Sequence, residues 1–163
     1  MIVLGIDPGT ARMGYGVIDT AGGIPSLIDF GIAETHPTES MPDRLLQLYG
    51  NIRLLLQEHD PDVMAVEKLF FARNVTTALA AGQALGVVLL ASAEKGIPVR
   101  EYSPSEVKHA IVGYGKADKA QIQEMVRIIL GLDQIPRPDD AADALAVAVC
   151  DAHMTSGYGA YAL

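Results

Sequence analysis

The stretch that decides the fold opens the chain and runs Ile2-Val3-Leu4-Gly5-Ile6-Asp7-Pro8-Gly9-Thr10. Its bulky aliphatic residues predict a strand that is buried on both faces. Asp7 follows where that strand ends, and Pro8-Gly9 then predicts a type II turn in which Gly9 has a positive φ. A carboxylate at the tip of a central strand is costly unless something neutralises its charge. Asp7 is therefore the first candidate functional residue, although a carboxylate that only accepts backbone N–H bonds in the turn is the alternative.

The length and composition of the chain bound its class. At 163 residues, half of them hydrophobic, the chain suits one domain with a substantial core. We expect that domain over residues 1–155, followed by a flexible tail over 156–163 that is rich in glycine, alanine and tyrosine. The lone cysteine, Cys150, excludes an internal disulfide and fits a reducing cytoplasm.

Two further features of composition bear on location and partners. The apolar run 84–93 is interrupted by Gly86 and Ser92 and is too short to span a bilayer. No basic region precedes the apolar N-terminus, so no signal peptide and no membrane partner are expected. The formal net charge of −8 counts against a polyanionic partner. It does not count against an acidic metal site.

Hydrophobic periodicity predicts the order β-β-β-α-β-α-β-α-α-α, which indicates a three-layer α/β domain with a mixed sheet. The strands after the first are expected at Met13–Asp19, Ile24–Thr35, Asp62–Glu67 and Ile97–Tyr102. The helices are expected from Ser40 or Asp43 to Glu58, at Val75–Lys95, from Ser103, from Asp118 to Leu130, and from Asp139.

Carboxylates interrupt the apolar pattern in three places. Glu67 ends the strand 62–67, as Asp7 ends the first strand, and Asp139, Asp140 and Asp143 lie at the start of the last helix. If the first and fourth strands are parallel neighbours, their carboxyl ends meet at one sheet edge, where α/β proteins bind ligands. The alternatives are a solvated strand end for Glu67 and helix capping for the first two aspartates. Helix capping explains Asp143 least well, because this residue lies one turn into an otherwise apolar helix.

Converging carboxylates repel one another, and a divalent cation removes that repulsion. All-oxygen ligands favour a hard ion, Mg²⁺ or Mn²⁺, which commonly binds substrate phosphate. Two such ions roughly 4 Å apart would activate water and stabilise the leaving oxygen of a phosphodiester displacement. The pattern therefore predicts a metal-dependent phosphodiesterase.

An ordered set of motifs resembles the RuvC family of crossover junction endodeoxyribonucleases. The motifs are Gly5–Thr10 with Gly14-Tyr15-Gly16, Ala65-Val66-Glu67, Gln83–Gly86, Val107-Lys108 through Gly115, and Asp139–Ala146. The resemblance implies a ribonuclease H-like three-layer α/β/α fold with a five-stranded mixed sheet. It also implies a cytoplasmic homodimer that works in DNA recombination and repair with RuvA and RuvB. Its substrate would be a four-way DNA junction, resolved by paired Mg²⁺-dependent nicks that leave 5′-phosphate and 3′-hydroxyl ends.

The resemblance also implies roles for individual residues. It assigns the catalytic and metal-binding carboxylates to Asp7, Glu67, Asp140 and Asp143, with Asp139 outside the set. The DNA contacts that it implies are Phe70, Arg73, Asn74, Lys108, Lys116 and Lys119. Phe70 would stack on junction bases, Lys108 and Lys119 would hold DNA near the scissile phosphate, and the other three would contact phosphates. Packing of the phenylalanine in the core and solvated helix charges for the lysines are the alternatives.

Three rival functions follow from parts of the same pattern. An RNA-processing ribonuclease H-like nuclease shares the opening motif, but the Asp-Asp-Ala-Ala-Asp helix favours the RuvC family. An actin-like ATPase or sugar kinase shares Gly-Ile-Asp-x-Gly-Thr, but that fold needs two such domains. A junction-binding module without activity is the third rival. The acidic net charge predicts a DNA affinity that is weak and falls steeply with salt.

Overall fold

The computed structural model describes residues 1–69 and 75–156, and over 75–77 it describes the backbone alone. The strands in this part of the chain are β1 (Ile2–Asp7), β2 (Arg12–Asp19), β3 (Ser26–Glu34), β4 (Val63–Glu67) and β5 (Val99–Tyr102). The helices are α1 (Met41–His59), α2 (Val75–Lys95), α3 (Pro104–Val112), α4 (Lys119–Ile129) and α5 (Asp139–Thr155). The predicted order of elements is confirmed.

The strands form one mixed sheet in the order β3-β2-β1-β4-β5. β1 pairs antiparallel with β2 and β2 with β3, whereas β4 lies parallel to both β1 and β5. Side chains alternate between two cores along β1: Val3 packs on the face covered by α3, α4 and α5, and Leu4 and Ile6 pack on the face covered by α1 and α2. This is the three-layer α/β/α arrangement with a five-stranded mixed sheet that the sequence predicts.

The last helix lies very close to the sheet because glycines face it. A Cβ on Gly5 would lie 2.1 Å from the Ala144 carbonyl oxygen, and one on Gly14 would lie 1.9 Å from that of Asp140. On Gly16 it would lie 2.5 Å from Leu145 Cδ2. Gly14 and Gly16 thus permit close backbone approach, and the helix itself fills the space beside them.

The turns and caps are mostly as the sequence predicts. Ser40 caps α1, and Ser103 and Asp118 form capping boxes at α3 and α4. One expectation, for Gly9, is wrong, and one alternative, helix capping by the aspartates, is excluded. Gly9 has no positive φ, and glycine is required there because a Cβ would lie 2.2 Å from the Arg12 carbonyl oxygen. The N-cap of α5 is Pro138, and no aspartate side chain caps that helix.

Helix α2 is apolar on more than one side. Ala84, Val88 and Ala91 are buried against the sheet. The buried share of the stretch Ala78–Lys95 is nevertheless low, at 22%. By length and composition alone, this stretch could span a membrane. The core helix of an α/β fold meets the same criterion. Because its buried residues pack in the core with β1 and β4, we interpret α2 as one layer of the fold.

Candidate active site

The central parallel strands bring two of the predicted carboxylates to one edge of the sheet. β1 and β4 pair with Ile6 opposite Val66, so the residues that end these strands, Asp7 and Glu67, are neighbours at their carboxyl ends. Apolar runs buried on both faces form these strands, and each run stops at its acid. The acids therefore lie where a buried strand reaches the surface.

Helix α5 brings the aspartates to the same edge. Gly14 pairs with Asp7 across β1 and β2, and the backbone of Asp140 lies against that glycine. Asp143 follows nearly one turn later, and from Ala144 to Ala152 every residue of the helix is buried. Close packing of the apolar part of α5 thus fixes its polar first turn beside Asp7.

A cleft of about 200 Å³ joins three of the four predicted carboxylates. Its charged lining consists of Asp7, Glu67, Asp143, Lys108 and Lys119. Asp140 lines instead an adjoining cleft of about 920 Å³, together with the turn Pro8–Arg12 that follows β1. The larger cleft carries just one of the four acids, so we place the candidate active site in the smaller one, with Asp140 at the boundary between the two.

The electrostatics of Asp7 show that the acids act on one another. Burial raises the pKa of Asp7 from 3.8 to about 7, and the charges of Asp143, Glu67 and Asp140 add to the rise, while Lys119 opposes it. Burial also raises the pKa of Glu67, followed by the charge of Asp143, and Lys108 lowers it. Since Asp140 contributes to the shift at Asp7, it lies within electrostatic reach of the cleft.

Lys119 supplies a positive charge to this acidic cluster. Its Nζ donates to Asp143 Oδ2 at 2.8 Å and lies 3.5 Å from Asp139 Oδ2. Burial acts to lower the pKa of the Lys119 ammonium, but the hydrogen bond and charge of Asp143, with Asp139, raise it above its ordinary value. A lysine therefore lies where the cluster attracts a cation.

The other predicted residues are distributed as follows. Lys108 lines the cleft, whereas Lys116 is exposed and does not. Asp139, which the resemblance leaves outside the catalytic set, pairs with Lys119 and Arg137 and does not line the cleft. The predicted DNA contacts Phe70, Arg73 and Asn74 lie outside the described residues, as does most of the predicted tail 156–163.

No three His, Cys, Asp or Glu side chains within residues 1–69 and 75–156 are close enough together to form a ready-made metal-binding group. The donor set nevertheless fits a hard divalent cation, because it consists of carboxylates whose repulsion already raises the pKa of Asp7. Lys119 is bonded to one of these donors, Asp143. A cation at Asp143 would therefore either bind the other carboxylate oxygen, Oδ1, or displace Lys119 from Oδ2.

Sequence reasoning missed the apolar walls of the cleft. These walls are Pro104, Val107, Ile122, Ala146 and Val147. Helical spacing could have found some of them, since Ile122 lies three residues after Lys119, and Ala146 and Val147 lie three and four after Asp143. Sequence reasoning also missed the bond between Lys119 and Asp143, which depends on how α4 packs on α5.

The fold and the acidic cleft define a ribonuclease H-like protein with a candidate nuclease site. Residues 3–151 match the family profile described as crossover junction endodeoxyribonuclease RuvC. The chain is 58% identical over 153 residues to the crossover junction endodeoxyribonuclease RuvC of Chloroflexus aggregans, covering 94% of this chain and 93% of that protein. The chain therefore belongs to the RuvC family.

Solved structures agree with this assignment. The structure of Thermus thermophilus RuvC in complex with a Holliday junction substrate superposes with a TM-score of 0.91 at 39% identity, covering 96% of this chain and 95% of that one. The yeast mitochondrial Holliday junction resolvase Ydc2 superposes with a TM-score of 0.66 at 16% identity, covering 98% and 82%. At that identity the second match bears on the fold alone. The predicted family and fold class are both confirmed.

Proposed function

We propose that the chain is a structure-specific endonuclease that resolves four-way DNA junctions by paired, symmetric nicks, leaving 5′-phosphate and 3′-hydroxyl ends. The observation that carries this proposal is the cleft that Asp7, Glu67 and Asp143 line together with Lys108 and Lys119, in a chain of the RuvC family. Phosphodiester hydrolysis needs a water nucleophile and stabilisation of the charge that develops on the phosphate. A carboxylate cluster that attracts cations supplies the first requirement, and the two cleft lysines serve the second.

RuvC nucleases are divalent-metal-dependent enzymes, and we assign two Mg²⁺ ions, for which Mn²⁺ can substitute, to Asp7, Glu67, Asp140 and Asp143. When bound, such ions activate water and offset the negative charge of the phosphate. Asp7 is the central member of this set because the three other acids all raise its pKa. Before any ion binds, Lys119 compensates part of the negative charge of Asp143, and Lys108 compensates part of that of Glu67.

The cleft residues divide the remaining work. Lys119 on α4 and Lys108 on α3 both line the cleft, where their ammonium groups can orient the scissile phosphate. Val107, Ile122 and Ala146 form apolar walls. Such walls exclude bulk water and strengthen every charge interaction within the cleft.

Contacts outside the cleft would hold the junction. Phe70 follows Glu67 by three residues in the sequence, and we propose that it stacks on a base near the cut, as aromatic side chains do on unpaired bases. Arg73, Asn74 and Lys116 would contact phosphates, which position the DNA without selecting its sequence. A net charge of −8 makes this affinity strongly dependent on salt.

Paired nicks on a junction with near-twofold symmetry require two sites, which a twofold dimer provides. We propose that the chain dimerises through the outer face of α2. Leu79 and Leu90 on that face are each 62% exposed, and a Cβ on Gly86 between them would meet no atom within 4 Å. A second helix can therefore approach the backbone there closely. Action with RuvA and RuvB in the cytoplasm, and a single nuclease domain over 1–155, also belong to this proposal.

The test is cleavage of a mobile four-way junction with and without Mg²⁺, with the nicks mapped on all four strands. We expect paired nicks at symmetric positions, little cutting of plain duplex or RNA, and no cutting in EDTA. Asp7→Asn should bind the junction but not cut it, whereas the matched variant Asp139→Asn should still cut. Cutting by Asp7→Asn at a near-normal rate would refute the assigned site. Preferred cutting of RNA, or binding without cutting by the wild type, would favour the rival functions.

A further inference from the structure

The polar side chains in the first turn of α5 have few strong bonds to the rest of the chain. No side chain caps the helix, and the bonds of its aspartates to Lys119 are weak because that lysine is 52% exposed. Behind the first turn, Ala144 and Ala148 lie on Gly5 of the sheet. These contacts, with that of Leu145 on Gly16, set how close α5 lies to the sheet. A directional polar bond further along α5 would add a restraint on its position along the helix axis.

Asp151, roughly two turns after Asp143, provides such an attachment. It is 0% exposed, and its carboxylate accepts hydrogen bonds from Tyr102 Oη at 2.7 Å and from Arg100 Nη1 at 3.1 Å to each oxygen. A fully buried carboxylate is costly unless such partners satisfy it. Because α5 cannot slide without breaking these bonds, the helix is held at this point along its axis.

Tyr102 connects this attachment to the strand that carries Glu67. It ends β5, pairs with Glu67 in the parallel ladder, and its carbonyl oxygen accepts a hydrogen bond from Lys68 N at 2.7 Å. Its side chain, 7% exposed, reaches across to Asp151. One residue thus contacts the end of the strand that bears Glu67 through its backbone and the helix that bears Asp143 through its hydroxyl.

We propose that Asp151 is a positioning residue for the nuclease site. Its bonds to Tyr102 and Arg100 fix α5 along its axis and so set how far the carboxylates on that helix lie from those on β1 and β4. Asp151 itself lies about 12 Å along the helix from Asp143, at 1.5 Å per residue, and it does not line the cleft. This proposal rests on the function proposed above for the cleft carboxylates.

The test compares two variants that each lose one buried hydroxyl. Tyr102→Phe removes the bond to Asp151 and keeps the ring. Ser92→Ala is the matched control, because the fully buried Ser92 Oγ donates to the Ile97 carbonyl oxygen at 2.9 Å on the opposite face of the sheet. Arg100→Gln is a milder second variant, since Arg100 is 40% exposed.

Four quantities are measured on the full-length protein: the melting temperature, the amide NMR signals of Gly5 and Gly14 without metal, junction affinity in EDTA, and the nicking rate against Mg²⁺ concentration. For Tyr102→Phe we expect shifted glycine signals and a roughly tenfold higher Mg²⁺ concentration at half-maximal rate. Its maximal rate should fall about tenfold or more, with junction affinity unchanged within about twofold. Arg100→Gln should change the same quantities in the same direction by less.

Ser92→Ala should lower the melting temperature comparably while leaving the glycine signals and the Mg²⁺ dependence at their wild-type values. Two results would overturn the positioning role. One is a Tyr102→Phe protein with wild-type glycine signals and Mg²⁺ dependence, and the other is a Ser92→Ala protein that changes both as much. A wild-type protein that does not nick junctions would overturn the proposed function instead, and the glycine signals would still decide whether Tyr102 and Asp151 position α5.

Discussion

Replacing Asp7 with asparagine should stabilise the metal-free protein while abolishing its activity. Burial and three neighbouring carboxylates raise the pKa of Asp7 from 3.8 to about 7. The folded chain therefore holds this proton to a higher pH than the unfolded chain does. Stability falls as pH rises from about 4 to about 7, and above pH 7 the whole loss is present. Asparagine has a similar shape and no charge, so it avoids this loss.

The size of the effect follows from the shift. A difference of about three pKa units, at about 1.4 kcal/mol each, gives up to about 4 kcal/mol at pH 8. In a chain of this length each kcal/mol changes the melting temperature by roughly 2–4 °C. Asp7→Asn should therefore melt up to roughly 8–16 °C higher than the wild type at pH 8 in EDTA. At pH 4 the two proteins should melt together.

Magnesium should narrow the difference between the two proteins at pH 8. Binding to the folded wild type at about 100 times the dissociation constant adds about 2.7 kcal/mol of stability, and the variant lacks a central ligand for the ion. The assay is thermal unfolding of both proteins at pH 4 and pH 8, in EDTA and in Mg²⁺. Asp139→Asn is the control, because Asp139 lies outside the cleft and should show no gain at pH 8. An Asp7→Asn protein less stable than the wild type at pH 8 in EDTA would refute this account of the cleft.

Three further predictions test other parts of the structure. Gly14→Ala should cost several kcal/mol of stability by denaturant unfolding and remove activity, because its Cβ would lie 1.9 Å from the Asp140 carbonyl oxygen; Gly22→Ala, which meets nothing within 4 Å, should be nearly neutral. Leu90→Glu should yield a monomer by analytical ultracentrifugation and lose paired nicking; a dimer of unchanged stability would count against the α2 interface. Lys119→Gln should lower the nicking rate at least about tenfold at saturating Mg²⁺, with junction affinity in EDTA changed a few-fold at most.

The strands, the helices and one sheet edge could be predicted from the sequence because each depends on local patterns. An apolar run that stops at an acid predicts a buried strand with its tip at the surface, and this placed Asp7 and Glu67 correctly. Their adjacency needed one further assumption, that β1 and β4 are parallel neighbours, and the register of Ile6 with Val66 confirms it.

The rest of the site depends on helix packing, which local patterns do not specify. Asp140 and Asp143 are three residues apart on α5 and so are neighbours on the helix surface, but they line different clefts once the helix is packed on the sheet. The bond from Lys119 to Asp143 likewise requires α4 and α5 to pack at one particular distance. Gly9 shows the same limit. The Arg12 carbonyl oxygen leaves no room for a side chain there, whereas the φ of Gly9 itself would permit one.

Part of the acidity of the chain belongs to its cleft. Four of its acids are held near one another by strand ends and a helix that the hydrophobic core fixes in place, so folding itself creates the repulsion that burial then strengthens. The ammonium group of Lys119 offsets part of this repulsion, through its hydrogen bond to Asp143 and its charge near Asp7. Two divalent ions would relieve the rest and bring the formal charge from −8 to about −4, with the whole change located where the phosphate must lie. If the proposed ions bind, the four carboxylates in and beside the cleft do not oppose DNA binding there, because they would recruit the positive charge that a phosphodiester needs.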